Sequence, residues 1–129
     1  MSRDGFDCIA DTSAVILSLR DPELGPLREV EYALTFVTCA ELLVGVFKAT
    51  QREQEFAELA PWIAGHTVLV PTESTPACYA WIIYQLAKIG QPIPVNDVWI
   101  AALAIQWDVP LLARDEHFAR VPGLHLIRV

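Results

Sequence analysis

A chain of 129 residues, 53% hydrophobic and carrying a net charge of −7 from 9 Lys+Arg against 16 Asp+Glu, fits one domain spanning residues 1–129, with a real core; that composition excludes a disordered segment. It holds no run of about 18 apolar residues, so no membrane span is expected, and the acid-containing start MSRDGFDCIAD does not read as a signal peptide. The acidic balance argues against a generic nucleic-acid binder with a basic face, and suits a basic protein partner.

In chain order, Phe6 to Ala10 reads as a central strand ending at Asp11. A helix then follows over Ala14 to Leu19, capped by Thr12 or Ser13. Pro22, Gly25 and Pro26 mark a turn. Tyr32 to Val37 is a second strand. Thr38-Cys39-Ala40-Glu41 has capping-box spacing, with a helix expected to about Gln51 and a further one through Phe56, Leu59 and Trp62 up to Gly65. Thr67 to Val70 is a strand, and Thr75-Pro76 opens a helix that ends near Gly90. Asn96 or Asp97 caps a helix through Trp107. Pro110 to Ala113 is a strand leading to Arg114-Asp115, followed by a helical turn over Glu116 to Arg120 and a last strand over Leu124 to Val129. Short apolar strands alternating with helices predict a mostly parallel sheet covered on both faces.

Cys8, Cys39 and Cys78 are odd in number, widely spaced and without a CxxC pair. They form no disulfide framework or zinc pattern, which fits ordinary core residues and a reducing, cytoplasmic location.

Asp11, Glu41 and Asp115 each follow a strand or open a helix, and Asp97 opens a helix after Pro-Ile-Pro-Val. In a parallel sheet the carboxyl ends of the strands share one edge, so these four acids can converge there. Clustered carboxylates raise one another's pKa and need a cation, which Mg²⁺ or Mn²⁺ supplies through oxygen ligands, and such a site suits phosphodiester hydrolysis. Asp11 and Asp97 are the first candidates as ligands. Glu41, Gly45, Lys48 and Arg52 fall on one helical stripe if the helix extends that far, so Lys48 and Arg52 are candidate RNA-contacting cations. Each acid also has a plainer reading as a helix cap or turn residue.

The segments CIADTSAVI, TCAELLVG, IPVNDVWIAALA and LLARDEHFARVPGLHLI resemble, in that order and spacing, the PIN-domain family. The likeness is to the VapC-like toxins of toxin–antitoxin pairs. The resemblance runs from about Phe6 to Val129. It implies a three-layer α/β/α fold, Mg²⁺ or Mn²⁺ dependence, endonucleolytic cleavage of structured RNA such as tRNA or rRNA, a cognate antitoxin and homodimerisation. By the same resemblance Asp11, Glu41, Asp97 and Asp115 match the acidic metal site, Ser13 its neighbouring hydroxyl, and Asn96 a hydrogen bonder behind the ligands. Arg114 stands where the family often has Thr or Ser. It either pairs with Asp115 and weakens its metal role, or faces a substrate phosphate.

His117, two residues after Asp115, is read first as a packing or surface residue and second as a phosphate contact. Trp99 is expected in the core more than on a base. The helix carrying Tyr79, Trp81, Ile82, Ile83, Tyr84 and Leu86 is apolar around more than one face, as a dimer or antitoxin surface, or a buried helix, would be. A haloacid-dehalogenase-like phosphatase needs a second Asp where Ser13 stands, and a response-regulator receiver needs an acceptor Asp between Asp21 and Asp97. The remaining rival is a non-catalytic interaction domain with the same fold.

Overall fold

The described strands are short and mostly apolar, and neighbouring residues along the central ones pack on opposite faces of the sheet. Ile9, Ala33, Leu111 and Ala113 join one buried cluster; Cys8, Ala10, Leu34 and Leu112 join another on the far side. That double burial is what a parallel sheet between helical layers requires. The computed structural model describes residues 5–21 and 30–129. Pro22, Gly25 and Pro26, expected as a turn, lie outside the described residues.

The elements run β1 (Cys8–Ala10), α1 (Thr12–Arg20), β2 (Tyr32–Thr35), α2 (Phe36–Lys48), α3 (Arg52–Ala64), β3 (Val68–Leu69), α4 (Thr75–Ile89), α5 (Val95–Trp107), β4 (Leu111–Ala113), a 3-10 turn (Glu116–Arg120) and β5 (Leu126–Arg128). The sheet has the order β3-β2-β1-β4-β5 and its pairings are parallel, for example Ile9 beside Ala33 on one side and beside Leu111 on the other. α4, α5 and the 3-10 turn supply Ile82, Leu86, Val98, Leu103 and Phe118 to the first cluster. α1, α2 and α3 supply Ala14, Val15, Leu42 and Trp62 to the second. The result is the expected α/β/α sandwich. Among the described residues no helix is long and apolar enough to cross a membrane.

The winding direction reverses at β1: β2 and β3 extend the sheet one way, β4 and β5 the other. In sheets of this kind the crevice at the carboxyl ends of the two strands flanking the reversal is where ligands sit. Here those strands are β1 and β4, which end at Asp11 and at Arg114-Asp115.

Three helix caps differ from the sequence expectation, each for a local reason, and β2 ends at Thr35 rather than Val37. The cap of α1 is Asp11, whose carboxylate accepts from the Ser13 amide, so neither Thr12 nor Ser13 fills that place. The cap of α2 is Thr35, which accepts from Thr38 N; Thr38 and Glu41 therefore lie inside the helix and no capping box forms. The cap position of α5 is Pro94, placing Asn96 and Asp97 in its first turn.

α2 also stops at Lys48, three residues short of the expected end. Arg52 opens α3 and donates from Nη2 to the Phe47 carbonyl at 3.0 Å, its guanidinium 5.7 Å from the Phe47 ring centre. The break between the helices thus takes Arg52 off the Glu41–Gly45–Lys48 stripe.

Candidate active site

Asp11 stands at the end of β1 and is almost fully buried, at 6% exposed. Its Oδ2 accepts from Ser13 Oγ at 2.7 Å and from Ser13 N at 3.3 Å. Ser13 Oγ in turn accepts from the amide of Arg114 at 3.2 Å. A single hydroxyl therefore spans the winding reversal, tying the loop after β1 to the loop after β4. The capping reading of Asp11 is thus met, and it leaves Oδ1 free of the Ser13 contacts.

Glu41 lies one turn into α2, held from α1. Thr12 Oγ1 is 2.6 Å from Glu41 Oε1 and 3.1 Å from Thr38 Oγ1. The Thr12 hydroxyl has one proton and gives it to the carboxylate, so the fully buried Thr38 hydroxyl completes the pair as donor. With Thr35 capping the helix, Glu41 is released from any capping duty.

Asp97 projects from the start of α5, which runs back across the sheet and so begins at the carboxyl edge. Burial, followed by the negative charges of Asp11 and Glu41, raises its pKa above the ordinary carboxylate value in spite of the opposing charge and contact of His117. These influences place Asp11, Glu41 and Asp97 in one electrostatic neighbourhood.

Asp115 caps the 3-10 turn, with Oδ1 3.4 Å from His117 N, and is more than half exposed. His117 joins it to the others: Nδ1 lies 3.0 Å from Asp115 Oδ1 and Nε2 lies 2.6 Å from Asp97 Oδ2. The second approach is the shorter of the two contacts. Sequence reasoning missed this bridge, and the only signal for it was the two-residue spacing from Asp115. With both ring nitrogens against carboxylates, the imidazole faces inward to the acids; it is no free surface residue waiting for a phosphate.

The other expected residues divide. Arg114 is exposed and makes no ion pair among the described residues; Asp115 pairs with His117 instead. Lys48 is exposed at the end of α2. Asn96 is exposed, with no side-chain hydrogen bond to the acids. Trp99 stacks on Tyr79, ring centres 4.1 Å apart, and meets Phe36 edge-on, which is the packing role.

Among the described residues no three Asp, Glu, His or Cys side chains are arranged to grip one ion. Mg²⁺ does not demand that: it keeps several waters and is held by one or two carboxylates. A buried carboxylate whose donors are one serine's hydroxyl and amide, beside a second whose charge is resisted by its neighbours, has the donor chemistry such an ion takes.

Residues 8–124 match the PIN-domain family. The chain belongs to that family. Ribonuclease VapC5 of Mycobacterium tuberculosis is 33% identical over 128 residues, 94% of each chain. Ribonuclease VapC1 of Haemophilus influenzae is 32% identical over 92 residues, 70% of this chain and 69% of that one. The DNA-bound VapBC structure from Salmonella typhimurium superposes with a TM-score of 0.85 at 22% identity, over 95% of this chain and 98% of that one, which speaks for a shared fold. Within the PIN-domain family the chain stands among the VapC-like toxins.

Proposed function

We propose that this PIN-domain chain is a divalent-metal-dependent endoribonuclease, the toxin of a toxin–antitoxin pair, acting on structured RNA such as tRNA or rRNA. What supports the reading is that Asp11 ends a strand at the winding reversal, and that burial and the charges of Asp11 and Glu41 push Asp97 toward its neutral form. A bound Mg²⁺ or Mn²⁺ would neutralise these acids and lower the pKa of water it touches. The chain's own part is to hold Asp11 through Ser13 and Glu41 through Thr12, so that the donor oxygens need little reorganisation. Arg114 and Lys48 are the exposed cations that a phosphate backbone would meet at the rim of an acidic protein.

The relatives include ribonucleases and a member of a toxin–antitoxin family, which supports an antitoxin as partner. A groove of about 530 Å³ between α1, α2 and α3, lined by Ile16, Leu19, Leu42, Gly45 and Trp62 with Arg20, Glu55 and Glu58 at its side, suits an apolar antitoxin segment. The exposed Trp81, Ile83 and Tyr84 on α4 suit a homodimer contact.

Antitoxin-free protein incubated with a cellular RNA pool and Mg²⁺ or Mn²⁺ should release discrete fragments, with their ends mapped by sequencing. Asp11→Asn and Asp97→Asn should abolish them. No cleavage by the freed wild-type protein would instead favour a non-catalytic interaction domain.

A further inference from the structure

The link from Asp115 to Asp97 is indirect. Asp115 contacts His117 through the backbone amide and through Nδ1, while Nε2 of the same ring reaches Asp97. Side-chain exposure is 56% at Asp115 but only 16% at His117 and 19% at Asp97, so the imidazole and Asp97 are both largely buried while Asp115 faces solvent. The turn that delivers the imidazole is fixed by Phe118, which is fully buried with its ring centre 4.9 Å from that of His117. Arg114, the other cation near Asp115 in sequence, makes no ion pair among the described residues.

A carboxylate that ligates a metal depends on the partner that fixes its rotamer, and losing such a partner costs roughly 10–100-fold in metal affinity. We propose that His117 is a positioning residue that carries the influence of Asp115 to Asp97, so that Asp115 serves the divalent-ion site through the imidazole and not as a ligand of its own. The inference rests on the metal-dependent reading above.

It is tested by calorimetric titration of Mn²⁺ into the full antitoxin-free chain, for the wild type, Asp115→Asn, His117→Ala and the double variant. Asn keeps the capping capacity at position 115. His117→Ala should weaken Mn²⁺ binding by about 10–100-fold, Asp115→Asn by no more than that, and the double variant should bind no more weakly than His117→Ala alone. Losses that multiply would mean that Asp115 ligates independently, and tighter binding by His117→Ala would mean that the imidazole competes with the ion. Either result overturns the inference and leaves the metal-dependent reading standing, whereas a wild type that binds no Mn²⁺ overturns both.

Two conservative variants carry the test should His117→Ala fail to fold. The amide nitrogen of Gln takes the place of Nε2 and retains the contact with Asp97; that of Asn takes the place of Nδ1 and retains only the contact with Asp115. His117→Gln should therefore restore most of the Mn²⁺ affinity and His117→Asn should not. The reverse order would overturn the inference.

Discussion

Thr12 Oγ1 lies 2.6 Å from Glu41 Oε1, a hydrogen bond between residues 29 apart that fastens the first turn of α1 to the body of α2. Thr12→Val keeps the side-chain shape and removes the hydroxyl, so Glu41 loses its anchor and the buried Thr38 hydroxyl loses its partner. A cost of about 1–3 kcal/mol is expected in urea unfolding, the scale for stranding a buried polar group. RNA cleavage should fall with it, and Thr12→Ser should restore both. Unchanged unfolding and cleavage in Thr12→Val would show that Glu41 is positioned by something else.

Cys8 offers a check on the strand core. Burial, helped by the charge of Asp7, pushes its thiol up to about 11, so almost no thiolate is present at pH 8. Iodoacetamide at that pH should leave Cys8 unmodified in the native protein and alkylate it in 6 M guanidinium, as read by peptide mass spectrometry. Ready labelling of native Cys8 would show β1 opening on the labelling timescale.

The elements that the sequence displayed best were those with long periodic patterns or strong punctuation. α4 opens at Thr75-Pro76 and ends at Gly90, which takes the left-handed conformation at φ 65° that glycine allows. The acids were placed by order alone, since a parallel sheet gathers successive strand ends at one edge. What stayed hidden was geometry between distant segments. Thr38-x-x-Glu41 obeys the capping-box spacing, yet Thr35 takes the cap because β2 ends there, and Glu41 is held by Thr12 instead. Local spacing cannot distinguish these, because the deciding partner comes from another helix. The His117 bridge was invisible for the same reason: it depends on where the 3-10 turn sits against the start of α5.

Asp97 should reveal itself through opposite effects on stability and activity. Its folded pKa lies above the ordinary 3.8, chiefly through burial and then the charge of Asp11. Between the ordinary and the raised value the folded protein binds more protons than the unfolded chain, so stability from this group falls as pH rises, and the full penalty stands at neutral pH. With metal chelated, Asp97→Asn should be more stable than the wild type at pH 7, and the gap should close as pH falls toward 4. RNA cleavage should drop by about two orders of magnitude or more, the scale of losing a charge-stabilising group. A wild type as stable as the variant at pH 7, measured by urea unfolding, would count against the repulsion between these acids.

Gly45 separates what α2 needs for folding from what its surface offers a partner. It is exposed within the helix, and a Cβ placed there meets nothing within 4 Å. Glycine in a helix interior costs about 0.8–1 kcal/mol relative to alanine, so Gly45→Ala should raise the unfolding free energy by roughly 0.5–1 kcal/mol. The open space is nevertheless the wall of the groove between α1, α2 and α3. An antitoxin segment packed against that wall would meet the new methyl, and overpacking of about 1–3 kcal/mol corresponds to a loss of affinity of about 5- to 150-fold. The expected pair of results is a more stable toxin that binds its antitoxin more weakly, read by urea unfolding and by calorimetry. Because the isolated chain gains where the complex loses, general damage to the fold cannot produce that pair. A variant that is more stable and binds the antitoxin undiminished would place the partner away from Gly45.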